Sequence, residues 1–502
     1  MSKSDPSWLV SCLDSRASTN PGDRDRLASI LRCFPNRDDD VETPSLPLSL
    51  LNSLPSAIIE ILSCEIDVEQ SSLFSRRFSS VVTLLQNQKD DELLTGLVIR
   101  TNEILRTRRS PRALRVRAVA DFYYTQAAIN HHKDSPHPPS SYAQLIESSP
   151  PFTEVYKNSV FHKKVVGLTS LGPINVNVLK IKSNNKEVKL RMVDTKKMAS
   201  STTLENIEGA VASVSGGFFL YSEENILPPS HRTDPVGFLM SDGIVSNPPC
   251  LKRATLTTTT SSLFNIERIG MIGMKFSFDG VESFTVDGQT IRTYNRANGE
   301  EVMRSEGKIS IAVVGNVIVE VSCLKETVAI PLAGLVIVMP SECISRFYPP
   351  QQIAWEYIDG VDMAMAGGPL LLMDGNIVID REAEDFALTA PPVTFSQDET
   401  FDQNLLPRMG AGLTTEGDLL FVAVDGRNFD IAPGFTLGNL ASFMQDLGCV
   451  KAMNFDGGSS KRMVVNQTCV DLSSTEVETN AATATTTATT RPVYSAILIE
   501  PF

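Results

Sequence analysis

Residues Pro407–Met463 read PRMGAGLTTEGDLLFVAVDGRNFDIAPGFTLGNLASFMQDLGCVKAMNFDGGSSKRM, and this stretch decides the reading of the chain. Leu419 to Val424 is a nearly unbroken apolar run stopped by Asp425-Gly426, the pattern of a buried strand ended by a turn. From Thr436 the apolar residues Leu437, Leu440, Ala441, Met444 and Leu447 recur at helical spacing. Thr436 supplies an N-cap and Gly448 a terminator. Val450 to Phe455 then returns to a strand pattern and stops at Asp456-Gly457-Gly458.

A strand–helix–strand connection of this length predicts two parallel strands with a right-handed crossover. Both strands then end on one edge of a sheet, which brings Asp425 and Asp456 to the same side. Their separation is roughly 5 Å if the strands are neighbours and roughly 10 Å if one strand intervenes. The helix begins on that edge too, with unpaired N–H groups and its positive dipole end, so the edge suits an anionic substrate. Asp-Gly is also an ordinary turn signal, and for Asp425 the two readings stand side by side. At the second turn Asn454, Asp456, Gly457, Gly458, Ser459 and Ser460 crowd one strand end. A glycine pair followed by serine is a pattern for a backbone anion nest, which favours a functional reading there.

With these residues in view, the stretch resembles the phosphodiester glycosidase family, the domain of N-acetylglucosamine-1-phosphodiester α-N-acetylglucosaminidase and its bacterial relatives. The residues that carry the resemblance are Arg408, Asp425-Gly426, Thr436-Leu437 and Asn454-Phe455-Asp456-Gly457-Gly458-Ser459-Ser460. Upstream, Ser213–Phe219 (SVSGGFF), Pro235–Gly237, Ser241–Gly243, Ala366–Leu370 and Asp374-Gly375 follow in the family's order, and Arg491–Leu498 resembles its closing strand. The chain departs from the pattern at Ser215, where the family has Asn, and at Ser459, which replaces a third glycine. Lys461-Arg462 replace small residues. The Cβ of Ser459 narrows the nest, and the added positive charge favours phosphate.

The resemblance implies cleavage of a sugar-1-phosphodiester between the anomeric carbon and the phosphate oxygen. Carboxylates stabilise or attack oxocarbenium-like centres in most glycosidases. Asp456 is then the nucleophile or general base, and Asp425 the second carboxylate or an orienting group. The leaving group of a phosphodiester is a stable anion and needs positive charge more than a general acid. Arg408 and Arg427 are the candidates, since guanidinium holds phosphate oxygens in bidentate fashion, with Arg462 a weaker one. For Arg427 a salt bridge to Asp430 is the competing reading. Gly216 and Gly217 bring backbone close to the sugar with Phe218 packed nearby, although at least one of Phe218 and Phe219 is expected in the core. Thr436, Asn454, Gly457, Gly458, Ser459 and Ser460 complete the expected substrate contacts. Two other functions fit the same residues: a non-catalytic carbohydrate- or phosphate-binding protein, and a phosphodiesterase cutting the other P–O bond.

The 502 residues predict more than one domain, and 42% hydrophobic with 21% charged residues is an ordinary globular composition. The net charge of -14 argues against nucleic acid as partner. Arg100, Arg106, Arg108, Arg109, Arg112, Arg115 and Arg117 form a local basic stretch, read as a solvated helical face or as pairing with the acidic remainder. The N-terminus shows no apolar segment of signal-peptide length, and the run Val328–Pro340 is too short to span a bilayer, so a cytoplasmic setting is expected. The 8 cysteines show no CxxC spacing and the 5 histidines lie away from the glycine motifs. No cofactor and no transition metal are expected, with an oxygen-ligated Ca²⁺ or Mg²⁺ left open.

Residues 1–40 are polar and expected to be disordered, 41–131 form an α-helical N-terminal domain, and 132–151 a Pro-rich linker. Residues 152–502 form the phosphodiester-glycosidase-like domain, built on a mixed β-sheet, with 265–345 as its β-rich part. The expected class is therefore α+β. The Thr-rich stretch 481–490 reads as a loop inserted before the last strand.

Overall fold

The computed structural model describes residues 139–502, apart from 184, 196–203, 205–206, 221–232, 260–262, 279–281, 333, 358–359, 387–401, 428–430, 473–475, 481–484 and 490–491. The chain divides into two compact units, 1–136 with 477–479, and 137–476 with 480–502. The second unit is described here. The expected disordered segment 1–40 and helical domain 41–131 lie outside the described residues.

The expectation of an α+β class is corrected by the described residues, which form 29 strands against two fully described α-helices, Tyr142–Ser148 and Leu437–Asp446. Helical periodicity is a strong signal and was read where it occurs. Short strands buried on both faces lose their period-2 alternation and are easily undercounted.

The sheet that carries the site has eight strands. Their order is Thr153–Tyr156, Val160–Thr169, Gly172–Ile181, Leu419–Val424, Arg408–Thr414, Cys449–Phe455, Leu370–Met373 and Asn376–Ile377. Every ladder in it is antiparallel, so a mixed sheet is not what forms. The Leu419–Val424 and Cys449–Phe455 strands are parallel to each other as expected, but Arg408–Thr414 lies between them and is antiparallel to both. Arg408 pairs with Val424 and Met409 with Phe455, so both parallel strands end beside the start of the central one. The wider of the two anticipated spacings, roughly 10 Å, is the one adopted.

One face of this sheet carries the Leu437–Asp446 helix, whose Leu437, Leu440, Ala441, Phe443 and Met444 are buried against Val176, Val178, Val422 and Val424. The helix starts in a capping box: Thr436 Oγ1 accepts from Asn439 N at 3.0 Å, and Asn439 reaches back to Thr436 N. The other face packs Met409, Phe421 and Phe455 against Leu190, Val214 and Ile497. Those residues belong to a five-stranded sheet ordered Thr468–Cys469, Met463–Val465, Ala212–Ser215, Ser495–Pro501 and Val188–Asp194. The same core takes in Leu239, Leu256 and Met365 from a second five-stranded sheet.

Residues 265–345 are strand-rich, as read, and the run Val328–Pro340 ends in the buried strand Gly334–Pro340 after a break at Pro331. Within the stretch read as a linker, Ser141 caps the helix Tyr142–Ser148, and Leu145 is buried over Gly167. The Thr-rich stretch contains a strand, Thr485–Thr489, where a loop was expected. Among the described residues no helix is long and apolar enough to cross a membrane.

Candidate active site

Both Asp-Gly turns fold onto one residue, Pro407, which opens the central strand. A Cβ on Gly426 would meet Pro407 N at 2.5 Å, and one on Gly457 would meet Pro407 O at the same distance. Both positions therefore require glycine for close backbone approach. Gly458 N donates to Pro407 O at 2.9 Å, and Gly458 adopts φ 58°, where glycine is favoured. The turns are thus held as a pair by the chain between them.

They are not equivalent. Val424 packs in the helix-side core and Phe455 in the inter-sheet core. Successive residues of a strand alternate faces, so Asp425 and Asp456 leave the sheet toward opposite faces although they share an edge.

Asp425 is buried, at 1% exposure. Its Oδ2 accepts from Asn175 Nδ2 at 2.7 Å, and its Oδ1 accepts from Leu472 N at 3.0 Å and from the Lys461 ammonium. Lys461, expected to add charge for a phosphate, is itself buried and bridges Asp425 and Asp471. Burial pushes the Asp425 carboxyl above its usual value, Lys461 pulls it down, and Asp471 pushes it up again. For Lys461 burial pulls downward, yet Asp471 and Asp425 together outweigh it and hold the ammonium above the usual lysine value. The two directions agree physically: one ammonium serves two carboxylates, so Lys461 is amply compensated and Asp425 only in part.

Asp456 is partly exposed, and its backbone N–H donates to Gly216 O at 3.1 Å. This contact joins the Asp456 turn to the Ser213–Phe219 motif. Arg427 follows Gly426 with φ 62°, in the left-handed region that non-glycine residues enter at a cost. That turn carries its guanidinium over the second loop. Nη1 and Nη2 each lie 3.6 Å from where a Gly458 Cβ would stand, and Nη1 donates to Ser459 Oγ at 3.4 Å. Arg427, Gly458 and Ser459 are therefore brought together, in the turn that begins at Asp456.

Other expected residues serve the fold. Arg408 is fully buried and donates from Nε to Phe435 O at 2.9 Å and from Nη2 to Asn404 O at 3.0 Å. Asn454 is buried and donates to Gly368 O at 2.9 Å. The Thr436 hydroxyl is engaged as the helix cap. Gly216 and Gly217 are packed tightly, with Cβ positions 2.2 Å from Met365 Sδ and Ala366 O respectively. Phe218 is half-buried and meets Phe386 edge to face at 6.3 Å, while Phe219 is buried against Tyr494, so one of the pair is core as anticipated. Along the anticipated nest, the N–H groups of Asp456, Gly458, Ser460 and Lys461 donate to Gly216, Pro407, Gly457 and Gly458 carbonyls. Arg462, the weaker phosphate candidate, is buried with Nη1 3.8 Å from Cys469 Sγ. Ser215, in place of the family's Asn, accepts from Arg462 N at 3.1 Å.

Asn175 and Asp471 were not anticipated. A signal for Asn175 was available: Asn175 and Asn177 alternate with apolar residues in Gly172–Ile181, which places both on one face of a buried strand. Asp471 has no comparable signal, since its role depends on a loop returning to Lys461.

Residues 282–500 match the family model described as phosphodiester glycosidase, a span holding Asp425, Arg427, Asp456 and Ser459 but not Gly216–Phe218. Curated protein sequences give no match. Three solved structures are similar at low identity. A hypothetical protein from Synechocystis is 18% identical with a TM-score of 0.44, covering 71% of this chain and 64% of that one. A protein described as exported, from Burkholderia pseudomallei, is 19% identical with a TM-score of 0.41, covering 67% of this chain and 75% of that one. The catalytic domain of zebrafish N-acetylglucosamine-1-phosphodiester alpha-N-acetylglucosaminidase, auto-inhibited by its pro-peptide, is 14% identical with a TM-score of 0.38, covering 74% and 96%. The chain thus spans less than two thirds of the Synechocystis protein. Over residues 282–500, then, this chain carries a domain of the phosphodiester glycosidase family.

Proposed function

We propose that the protein is a hydrolase that cleaves the glycosidic bond of a sugar-1-phosphodiester, releasing free sugar and a phosphomonoester. The observation that carries this reading is the Arg427 guanidinium lying over Gly458 and donating to Ser459, within the turn that begins at the partly exposed Asp456. A planar cation over the loop that follows a carboxylate suits a substrate with an anionic leaving group and a cation-like carbon. Arg427 holds the phosphodiester oxygens. Asp456 faces the anomeric carbon as nucleophile or as base toward water. The C–O bond breaks with its electron pair going to the phosphate, and water supplies the hydroxyl of the sugar and the proton of the phosphomonoester. The phosphomonoester leaves as a stable anion, so a second carboxylate acting as acid is not required.

Support also comes from the family of residues 282–500. The test is incubation of purified protein with a GlcNAc-1-phosphodiester and analysis of the products. Free sugar with phosphomonoester is the expected result. Sugar-1-phosphate would assign the other P–O bond, and saturable binding without turnover would assign a binding protein.

A further inference from the structure

Lys461 has three N–H donors, and the structure uses all of them: on Asp425, on Asp471, and on Leu472 O at 3.1 Å. Its carboxylate partners are equally occupied. Asp425 also accepts from Asn175 and Leu472 N, and Asp471 accepts from Met463 N at 2.7 Å and Cys469 Sγ at 3.3 Å. Both ion-pair ends are buried, with Lys461 at 1% and Asp471 at 6% exposure. A network this complete offers no group to a substrate.

Its place in the chain gives it another use. Asp425 lies two residues before Arg427, and Lys461 follows directly on Asp456–Ser460. The ion pair therefore bolts the base of the Arg427 turn to the end of the Asp456 turn, and the Arg427–Ser459 hydrogen bond closes the same ring from above. We infer that Lys461 is a positioning residue: anchored on Asp425 and Asp471, it sets the Arg427 guanidinium against Asp456, and Asp425 is its anchor and not a second reacting carboxylate. The roles given to Arg427 and Asp456 rest on the proposed function. The bridge itself does not.

The test uses the full chain, with Asp425→Asn, the triple variant Asp425→Asn/Lys461→Met/Asp471→Asn that leaves no unpaired charge, and Asp471→Asn as a milder single change. Turnover of a GlcNAc-1-phosphodiester is followed against pH, and amide hydrogen exchange is read over 425–427 and 456–460. Positioning predicts that Asp425→Asn retains both limbs of the wild-type pH profile. It also predicts that kcat falls by on the order of 100-fold in the triple variant, the scale of a small misplacement of reacting groups. Exchange rises roughly tenfold in both stretches together, each having lost the tie that restrained it. Loss of one pH limb in Asp425→Asn overturns the inference, because Asp425 then reacts. Wild-type kcat in a folded triple variant, or exchange altered only around 471, overturns it as well. If the triple variant does not fold, the same joint or confined exchange pattern is read in Asp471→Asn. If the wild type leaves the phosphodiester intact, the functional reading fails while the exchange pattern still decides the bridge.

Discussion

Asp425-Gly426 and Asp456-Gly457 are the same dipeptide at the ends of two parallel strands, each folded against Pro407, and they have opposite fates. Asp425 is buried among Asn175, Lys461 and the Leu472 backbone, whereas Asp456 is partly exposed at the start of the turn whose Gly458 lies under the guanidinium of Arg427. The difference comes from strand parity and from what returns to each face. A lysine and an aspartate arrive beneath one turn, and the Gly216 carbonyl meets the backbone of the other. A motif therefore locates a sheet edge, while the packing on either side decides which copy of the motif does chemistry.

The comparison is sharpest in paired carboxamides. Asp456→Asn should lower sugar release by about 10³-fold or more, the scale on which a glycosidase carboxylate contributes some 4 kcal/mol of barrier lowering. Its melting temperature should stay close to wild type. Asp425→Asn should show the reverse emphasis, with a clear loss of stability and a smaller loss of kcat. Equal kinetic losses in the two variants would break the contrast.

Next in size is Lys461→Met, which leaves two buried carboxylates facing each other and should cost about 3–5 kcal/mol in denaturant unfolding. The pH dependence of stability follows from the same group. Its folded pKa is raised above 10.5, so its contribution is fully present below 10.5 and is lost as the pH rises through the higher folded value. The groups facing it are Asp425 and Asp471, with Cys469 and Arg462 beside Asp471. Burial pushes the Cys469 thiol up to about 12, so it stays neutral as the alkaline range is entered. Alkaline melts should therefore show a stability loss in the wild type that the neutral triple variant lacks.

Arg427→Lys keeps the charge but removes the fork that spans two phosphate oxygens. It should cost about 1.5–3 kcal/mol in kcat/KM, roughly 10- to 100-fold, mostly through KM. An unchanged KM would place the phosphodiester elsewhere. The smallest effect belongs to Thr436→Ala. The cap is worth about 1 kcal/mol of stability, and with the hydroxyl engaged by Asn439, KM should not move.

Much of this was legible because it is local. The strand Leu419–Val424, the helix from Leu437 and its Thr436 cap, and the strand ending at Phe455 follow from hydrophobic period and cap chemistry over a few residues. The Arg427 loop and the Asp456 turn could be placed at one sheet edge for the same reason. What could not be read is whatever depends on residues far apart in the chain. Lys461 looked like surface charge for a phosphate until Asp425 and Asp471 closed around it. Arg408 looked like a phosphate ligand, but it is fully buried, with Nε on the Phe435 carbonyl and Nη2 on the Asn404 carbonyl. The α+β reading failed similarly, since hairpins buried on both faces show as plain apolar runs whose pairing is set by non-local partners.

The sequence by itself determined the strands, helix and cap between Leu419 and Phe455 and the two glycine turns, because propensity, capping and turn chemistry act between near neighbours. Only the tertiary structure decided which aspartate is buried. A carboxylate's environment is set by the groups that fold against it, and those come from Asn175, Lys461 and Asp471, as far as 250 residues along the chain.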